Sequence, residues 1–134
     1  MDTMSTKEAF VSFDVARLLK EKGFDWGCCS YWCVFPNGDR VHTEYGHFAN
    51  HNGNETDRFV SRPTQAMACR WLKETHGLWV VPMPCEDGGC YFEIYKRYGK
   101  IWKNNVYDHT EYEDYDDPEY AIEGGLHYCL TNIV

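Results

Sequence analysis

The cysteines are the residues of this chain whose types and spacing are able to support chemistry. Cys28, Cys29 and Cys33 lie in one short segment, and Cys85 and Cys90 flank a second one. Thiolates are preferred zinc ligands, and a closed zinc site needs four ligands that converge on the ion. A thiolate is also a nucleophile. These five cysteines are therefore the candidate metal ligands or reactive thiols.

The spacing of the cysteines offers two pairs of ligands, Cys29 with Cys33 and Cys85 with Cys90, and it argues against the first. An extended segment from Cys29 to Cys33 separates the two thiols by about 13 Å, too far for one ion. Cys85 and Cys90 are able to face each other across a hairpin. The alternative is that all five are small buried side chains or thiols that take no part in binding or catalysis. The total of seven cysteines fits a closed disulfide framework poorly. Since the chain starts without a secretory signal, we expect a cytoplasmic protein with reduced thiols.

Other chemical signatures are missing from the sequence. It contains no phosphate-binding glycine-rich loop, no GxSxG elbow and no HExxH motif. His42, His47 and His51 fall in polar surroundings, which suggests solvated side chains. Residues 108–119 include seven acidic side chains without the spacing of a calcium loop. The sequence therefore favours a non-enzymatic protein without a cofactor.

Composition narrows the choice of partners. The chain has 134 residues, with 13 Lys or Arg against 21 Asp or Glu, so its net charge is −8. The acidic balance and the lack of a visible basic groove argue against direct contact with nucleic acid. No apolar run is long enough for a membrane span. Tyrosine and tryptophan are abundant and are typical of protein interfaces, so a protein partner is predicted.

The local patterns predict three helices and two hairpins, in the order α-β-β-α-β-β-α. Helices are predicted over about 13–22, 63–76 and 118–133, and hairpins over 29–45 and 78–97. Short hairpins imply an antiparallel sheet, and helices on one face of it make an α+β fold. We expect a single domain over 1–134 with a flexible polar loop around 46–62, and no repeat of 20–50 residues is visible.

Single residues refine these elements. Ser12 is the predicted N-cap of the first helix, and Gly23 and Gly77 are predicted to end the first two helices. Pro82 hints at a sheet edge or a bulge, because it has no N–H to donate. Gly124 and Gly125 lie inside the third predicted helix, where they imply close packing against a neighbouring element.

Parts of the chain resemble a group of small uncharacterised proteins from gut anaerobic bacteria and from their phages and mobile elements. The segments that carry the resemblance are 10–24, 63–66, 70–74 and 120–126. They cover about half of the chain and leave out the cysteine-rich strand and the 46–62 loop. The resemblance implies a prokaryotic, mobile-element origin, and it transfers no activity and no catalytic residue.

Three functions follow as hypotheses. The leading one is a small protein-interaction module of phage or mobile-element origin, with a homodimer left open. The second is a metal-binding or thiol-dependent enzyme that uses the candidate cysteines. The third is an acidic mimic of nucleic acid that inhibits a DNA-binding enzyme, which requires the acidic residues of 108–119 on one rigid face.

Overall fold

The computed structural model describes residues 8–54, 56, 58–104 and 114–134. The α+β class and the predicted order of elements are confirmed, and a short third strand joins each hairpin. The elements are α1 (Phe13–Glu21), β1 (Cys28–Val34), β2 (Arg40–Ala49), β3 (Phe59–Ser61), α2 (Gln65–His76), β4 (Leu78–Pro84), β5 (Cys90–Tyr98), β6 (Ile101–Lys103) and α3 (Pro118–Asn132).

The chain divides into two compact units, Met1–Met67 and Ala68–Val134, and the division falls within α2. Each unit contains one antiparallel sheet of three strands, in the order β2-β1-β3 in the first unit and β4-β5-β6 in the second. The single domain expected over 1–134 stays a prediction.

The first unit is built on α1 and the central strand β1. The Ser12 hydroxyl accepts a hydrogen bond from the Val15 N–H at 3.2 Å, which confirms the predicted N-cap. Gly23 follows the helix with a φ of 91°, a conformation that favours glycine, and Phe24 after it is buried. The core of this unit is apolar and includes Val11, Val15, Ala16, Leu19, Phe24, Cys28 and Val60.

In the second unit, α3 packs against β4 and β5. β4 is an edge strand, as Pro82 predicted. A Cβ at Gly125 would overlap Val80 Cγ1 and approach the Phe92 ring, so the missing side chain lets the helix backbone lie directly on the sheet. The predicted close packing of the glycine pair is therefore confirmed.

Both halves of the chain use the same local plan, although no repeat is visible in the sequence. In each, a helix ends at a glycine with positive φ and leads into a hairpin. The two hairpin turns have matching bonds, since Gly38 N–H donates to Phe35 O and Gly88 N–H donates to Cys85 O. The third strands differ, because β3 pairs with the first hairpin strand and β6 pairs with the second.

The polar connection is shorter than the loop expected around 46–62. β2 continues through Ala49 and β3 begins at Phe59, so both ends of that segment are strand. Asn52 ties the connection to the core, because its side chain donates to Phe24 O at 2.9 Å and accepts from Ser61 N–H at 2.8 Å. Among the described residues, no helix combines the length and the apolar character that crossing a membrane requires.

Candidate functional site

The outer face of the first sheet carries a cluster of aromatic and histidine rings around Tyr31. Tyr31 projects from the central strand, and its ring stacks on His51 with centroids 4.5 Å apart and planes at 27°. Tyr45 and Phe59 contact the same ring edge-on, at 6.4 and 5.9 Å. We call these four residues, with His47 beside Tyr45 at 5.8 Å, the aromatic face.

His51 departs from the sequence prediction of a solvated side chain. It is half-buried, its backbone N–H donates to Ser61 Oγ at 2.9 Å, and its ring Nε2 lies 3.2 Å from Cys28 O. Its position therefore comes from the folded connection between β2 and β3. The signal available in the sequence was the alternation of Asn50, Asn52 and Asn54, whose amides build the local hydrogen bonds.

Strand β2 lies at the edge of this sheet and is exposed from Arg40 through Phe48. Its apolar side chains are unusually accessible, with Val41 49%, Tyr45 46% and Phe48 70% exposed. Single exposed apolar residues are common on protein surfaces, whereas several on one free edge indicate a contact surface. The sequence showed an excess of aromatic residues, but it did not show that they gather on an edge strand.

Burial separates Cys28 from the other cysteines of β1. Its Sγ donates to Trp26 O at 3.6 Å and lies 3.7 Å from Met67 Sδ. Burial raises the pKa of the Cys28 thiol to about 12, and the nearby Cys29 adds to the rise, so the thiol is protonated at neutral pH. Cys29 and Cys33 are half-buried on the opposite face of the strand, separated by its extended backbone.

A small cavity of about 250 Å³ lies next to Cys28 and is lined by Cys29, Phe10, Phe48 and Arg62, among others. The Arg62 guanidinium lies 4.1 Å from the centroid of Phe10 and donates to Ser30 Oγ at 3.2 Å. Its buried Nε has no hydrogen-bond partner in the described part of the chain. Burial lowers the pKa of Arg62 from its ordinary value. The cavity is thus lined mainly by apolar side chains, with one cation, Arg62, and one carboxylate, Glu8, in its wall.

The second pair of cysteine candidates lies at the turn of the second hairpin. Cys85 Sγ donates to Asp114 Oδ1 at 3.4 Å, and ligand atoms of Cys85, Asp87 and Asp114 lie within 4.8 Å of one another. The Gly89 N–H donates to Asp87 at 3.0 Å and, together with Asp114, lowers the pKa of the Asp87 carboxyl. Hydrogen bonds within the turn account for this compactness, so we do not assign a metal to it.

The other candidates do not join such a group. Among the described residues, Cys28, Cys29, Cys33 and Cys90 belong to no set of three side chains able to share an ion. Cys90 is buried, and its backbone pairs with Tyr115. Half of the acidic run at 108–119 lies outside the described residues. In the described half, Asp114, Asp116, Asp117 and Glu119 are exposed.

Comparison of the chain with protein-family models, with curated proteins and with solved structures finds no match. The function is therefore argued from the geometry of the aromatic face and of the free edge of β2.

Proposed function

We propose that this chain is a non-enzymatic protein-interaction module that holds its partner at the aromatic face and the free edge of β2. The observation that carries the proposal is the exposure of β2 along Arg40–Phe48, with Val41, Tyr45 and Phe48 among its accessible side chains. The resemblance of segments of the chain to mobile-element proteins supports a phage or mobile-element origin for the module.

The mode of binding that fits this edge is strand addition. An edge strand presents a row of backbone N–H and C=O groups, and an extended peptide can pair with them as a further strand. β2 pairs regularly with β1 from Arg40 to Glu44, and the register then shifts. The regular part therefore offers about five residues to a partner strand. Val41, Thr43 and Tyr45 share one side of β2 by alternation and lie beside the aromatic face.

Site-specific photo-crosslinking tests the proposal. A photoreactive phenylalanine analogue is placed at Val41 in one variant and at Tyr120 in a control variant. Tyr120 lies on α3 and is 60% exposed, so it is at least as accessible as Val41. We expect one host or phage protein to crosslink at Val41 and not at Tyr120, and we expect an extended segment of that protein to carry the crosslink.

The same experiment includes a variant of the aromatic face. Tyr45→Ala, combined with the photoreactive residue at Val41, removes an exposed ring that the proposed partner would contact. It is expected to reduce the crosslinking yield several-fold, since Tyr side chains are frequent binding hot spots. Tyr120→Ala serves as the matched control. Equal crosslinks at Val41 and Tyr120, or an unchanged yield in Tyr45→Ala, would contradict the proposal.

A further inference from the structure

The outer face of the second sheet combines aromatic rings from three adjacent strands. Trp79 of β4 lies opposite Tyr95 of β5, and Arg97 of β5 lies opposite Trp102 of β6. Because side chains alternate along a strand, Tyr95 and Arg97 project from the same face, and their partners join them there. These four residues, together with Lys73 of α2, are named the cationic–aromatic face.

Cations lie directly against the rings of this face. Lys73 Nζ is 4.0 Å from the centroid of Trp79 and 5.7 Å from that of Trp102. Arg97 Cζ is 5.7 Å from the Trp102 centroid, and the two indoles are 5.6 Å apart in an edge-on arrangement. Trp79 is 39% exposed, which is high for a residue that is usually well buried. Trp79 is thus partly exposed beside two positive charges, one of which, that of Lys73, lies over its ring.

The surrounding charge is positive although the whole chain is acidic. All six Lys and Arg of residues 68–134 fall between 70 and 103, and residues 96–103 contain four of them with no Asp or Glu. Arg70 and Glu74 neutralise each other through an ion pair of 2.6 Å. Lys73 and Arg97 have no carboxylate partner within the described part of the chain. Both line a groove of about 470 Å³ that also includes Trp79.

One carboxylate shares the outer face of this sheet. Glu93 projects from the same side of β5 as Tyr95 and accepts a hydrogen bond from the Tyr95 hydroxyl at 2.8 Å. Glu93 lies opposite Val81, and this pair is the next one on the same face after the pair of Trp79 and Tyr95. The positive end of the face is therefore the end formed by Lys73, Arg97 and Trp102.

We propose that the cationic–aromatic face binds single-stranded nucleic acid. Proteins that bind single strands place bases on aromatic rings and pass the phosphates along a basic groove. Sheets that bind RNA present their aromatic residues from adjacent strands in this way. Asp and Glu side chains of an acidic peptide would match the charge of Lys73 and Arg97, but they have no flat ring to lie on Trp79, whereas every nucleotide carries both a charge and a ring. This proposal goes beyond protein binding, because it concerns a different unit and a different partner.

Fluorescence anisotropy with the full chain tests the proposal. The probes are labelled oligothymidine and oligouridine of about 15 nucleotides, within the range of single-strand site sizes, so that DNA and RNA are compared directly. Poly-glutamate and a duplex of the same length are the competitors. We expect at least one of the two single strands to bind, and to bind more tightly than either competitor. The logarithm of the association constant should fall with the logarithm of salt at a slope of about −1.4, for two phosphates neutralised.

Variants separate stacking from charge. Trp79→Ala should weaken binding about tenfold or more, because stacking of one base on an aromatic ring contributes about 1–3 kcal/mol. Trp102→Leu is a second variant of the same kind, in case Trp79→Ala does not fold. Lys73→Gln should weaken binding. It should also make the slope of the logarithm of the association constant against the logarithm of salt less negative by about 0.7. Tyr120→Ala and Lys22→Gln, both at exposed positions, are the aromatic and charge controls.

Three results would overturn the proposal. The first is the absence of binding by both single strands at low salt. The second is competition by poly-glutamate as strong as that by the unlabelled oligonucleotide, which would identify an acidic peptide as the ligand. The third is wild-type affinity in folded Trp79→Ala and Trp102→Leu, which would show that the rings take no part.

Discussion

At the scale of single residues, a missing Cβ decides how closely α3 approaches the second sheet. Gly124 and Gly125 are neighbours on the helix, and they meet different surroundings. A Cβ at Gly125 would overlap Val80 and approach Phe92, which are both buried in the core. A Cβ at Gly124 would meet the hydroxyl of Tyr115, the far end of a side chain that is able to rotate.

The two glycines are therefore expected to respond differently to alanine. Gly125→Ala should lower the free energy of unfolding by up to about 2 kcal/mol, because overpacking costs about 1–3 kcal/mol and the gain in helix propensity returns about 1. Gly124→Ala should leave stability unchanged or raise it by up to about 1 kcal/mol. Urea unfolding of both variants and of the wild type measures the difference. Equal losses in the two variants would contradict this account of the packing.

A second prediction at this scale concerns the buried thiol of Cys28. Its pKa is raised by burial to about 12, so between about pH 9 and 12 the native state holds a proton that the unfolded chain releases. The protonated thiol contributes its full stabilisation of the native state below about pH 9. As the pH rises above 9, the free energy of unfolding falls by up to about 1.4 kcal/mol per pH unit. Cys28→Ala should make the decline of unfolding free energy with pH above 9 less steep, measured by urea unfolding. A decline should remain, because burial also raises the pKa of the Cys69 and Cys129 thiols.

The matched control for Cys28 is Cys33→Ala, which changes a half-buried thiol of the same strand and keeps the buried one. It should retain the wild-type decline. If both variants declined in parallel with the wild type, the pH dependence would come from other groups.

At the scale of elements, a glycine at the same position of each turn allows the backbone conformation that closes the hairpin. Gly38 has a φ of 93° and Gly88 one of 96°, both in the region that side chains disfavour. Each glycine N–H donates to the carbonyl of the first residue of its turn. The N–H of that first residue donates in turn across the hairpin, from Phe35 to Asp39 O and from Cys85 to Gly89 O. Asn-Gly and Asp-Gly dipeptides are typical of such turns, and they occur here as Asn37-Gly38 and Asp87-Gly88.

Replacing the turn glycine of the first hairpin tests this role. Gly38→Ala should lower the unfolding free energy by about 1–2 kcal/mol, since an L side chain in the left-handed region costs about that much. Gly46→Ala in β2 is the control, because its Cβ would meet nothing within 4 Å and its φ is not in that region. Thermal and urea unfolding should show no loss of stability in Gly46→Ala. A loss as large as that of Gly38→Ala would mean that the positive φ of Gly38 is not the cause of its loss, because both positions face open space.

At the scale of the whole molecule, net charge conceals an uneven distribution. The chain carries −8 overall, yet its basic residues in 68–134 gather beside Trp79 and Trp102. The expectation of no contact with nucleic acid rested on the average charge and on the lack of a visible basic groove. Trp102 is far along the chain from Lys73 and Trp79, and only folding brings it to them.

The two proposed binding surfaces make separable predictions for the whole chain. Tyr45→Ala should reduce crosslinking of the protein partner and leave oligonucleotide affinity unchanged. Trp79→Ala should do the reverse, because the two residues belong to different sheets. Crosslinking yield and anisotropy are measured on the same preparations of each variant. Loss of both activities in either variant would show a general folding defect or a single shared surface.

The sequence by itself determined the elements with strong local signals. Ser12 and Gly23 bound α1, Gly77 follows α2, and Pro118 begins α3, because caps and backbone φ depend on a few neighbouring residues. The hairpin turns at Gly38 and Gly88 belong to the same class of signal. From these elements the α+β class and the order of helices and hairpins follow.

The tertiary structure decided which strands pair, which side chains are buried and which residues meet. β3 and β6 have only three residues each, too few for a periodic pattern, and they form strands because a neighbour offers hydrogen-bonding groups. Cys28 is buried and Cys33 is only half-buried because the two side chains lie on opposite faces of β1, and the tertiary structure decides which face the core covers. The meeting of Lys73 with Trp79 and Trp102 likewise depends on long-range pairing, which residue types along the chain do not encode locally.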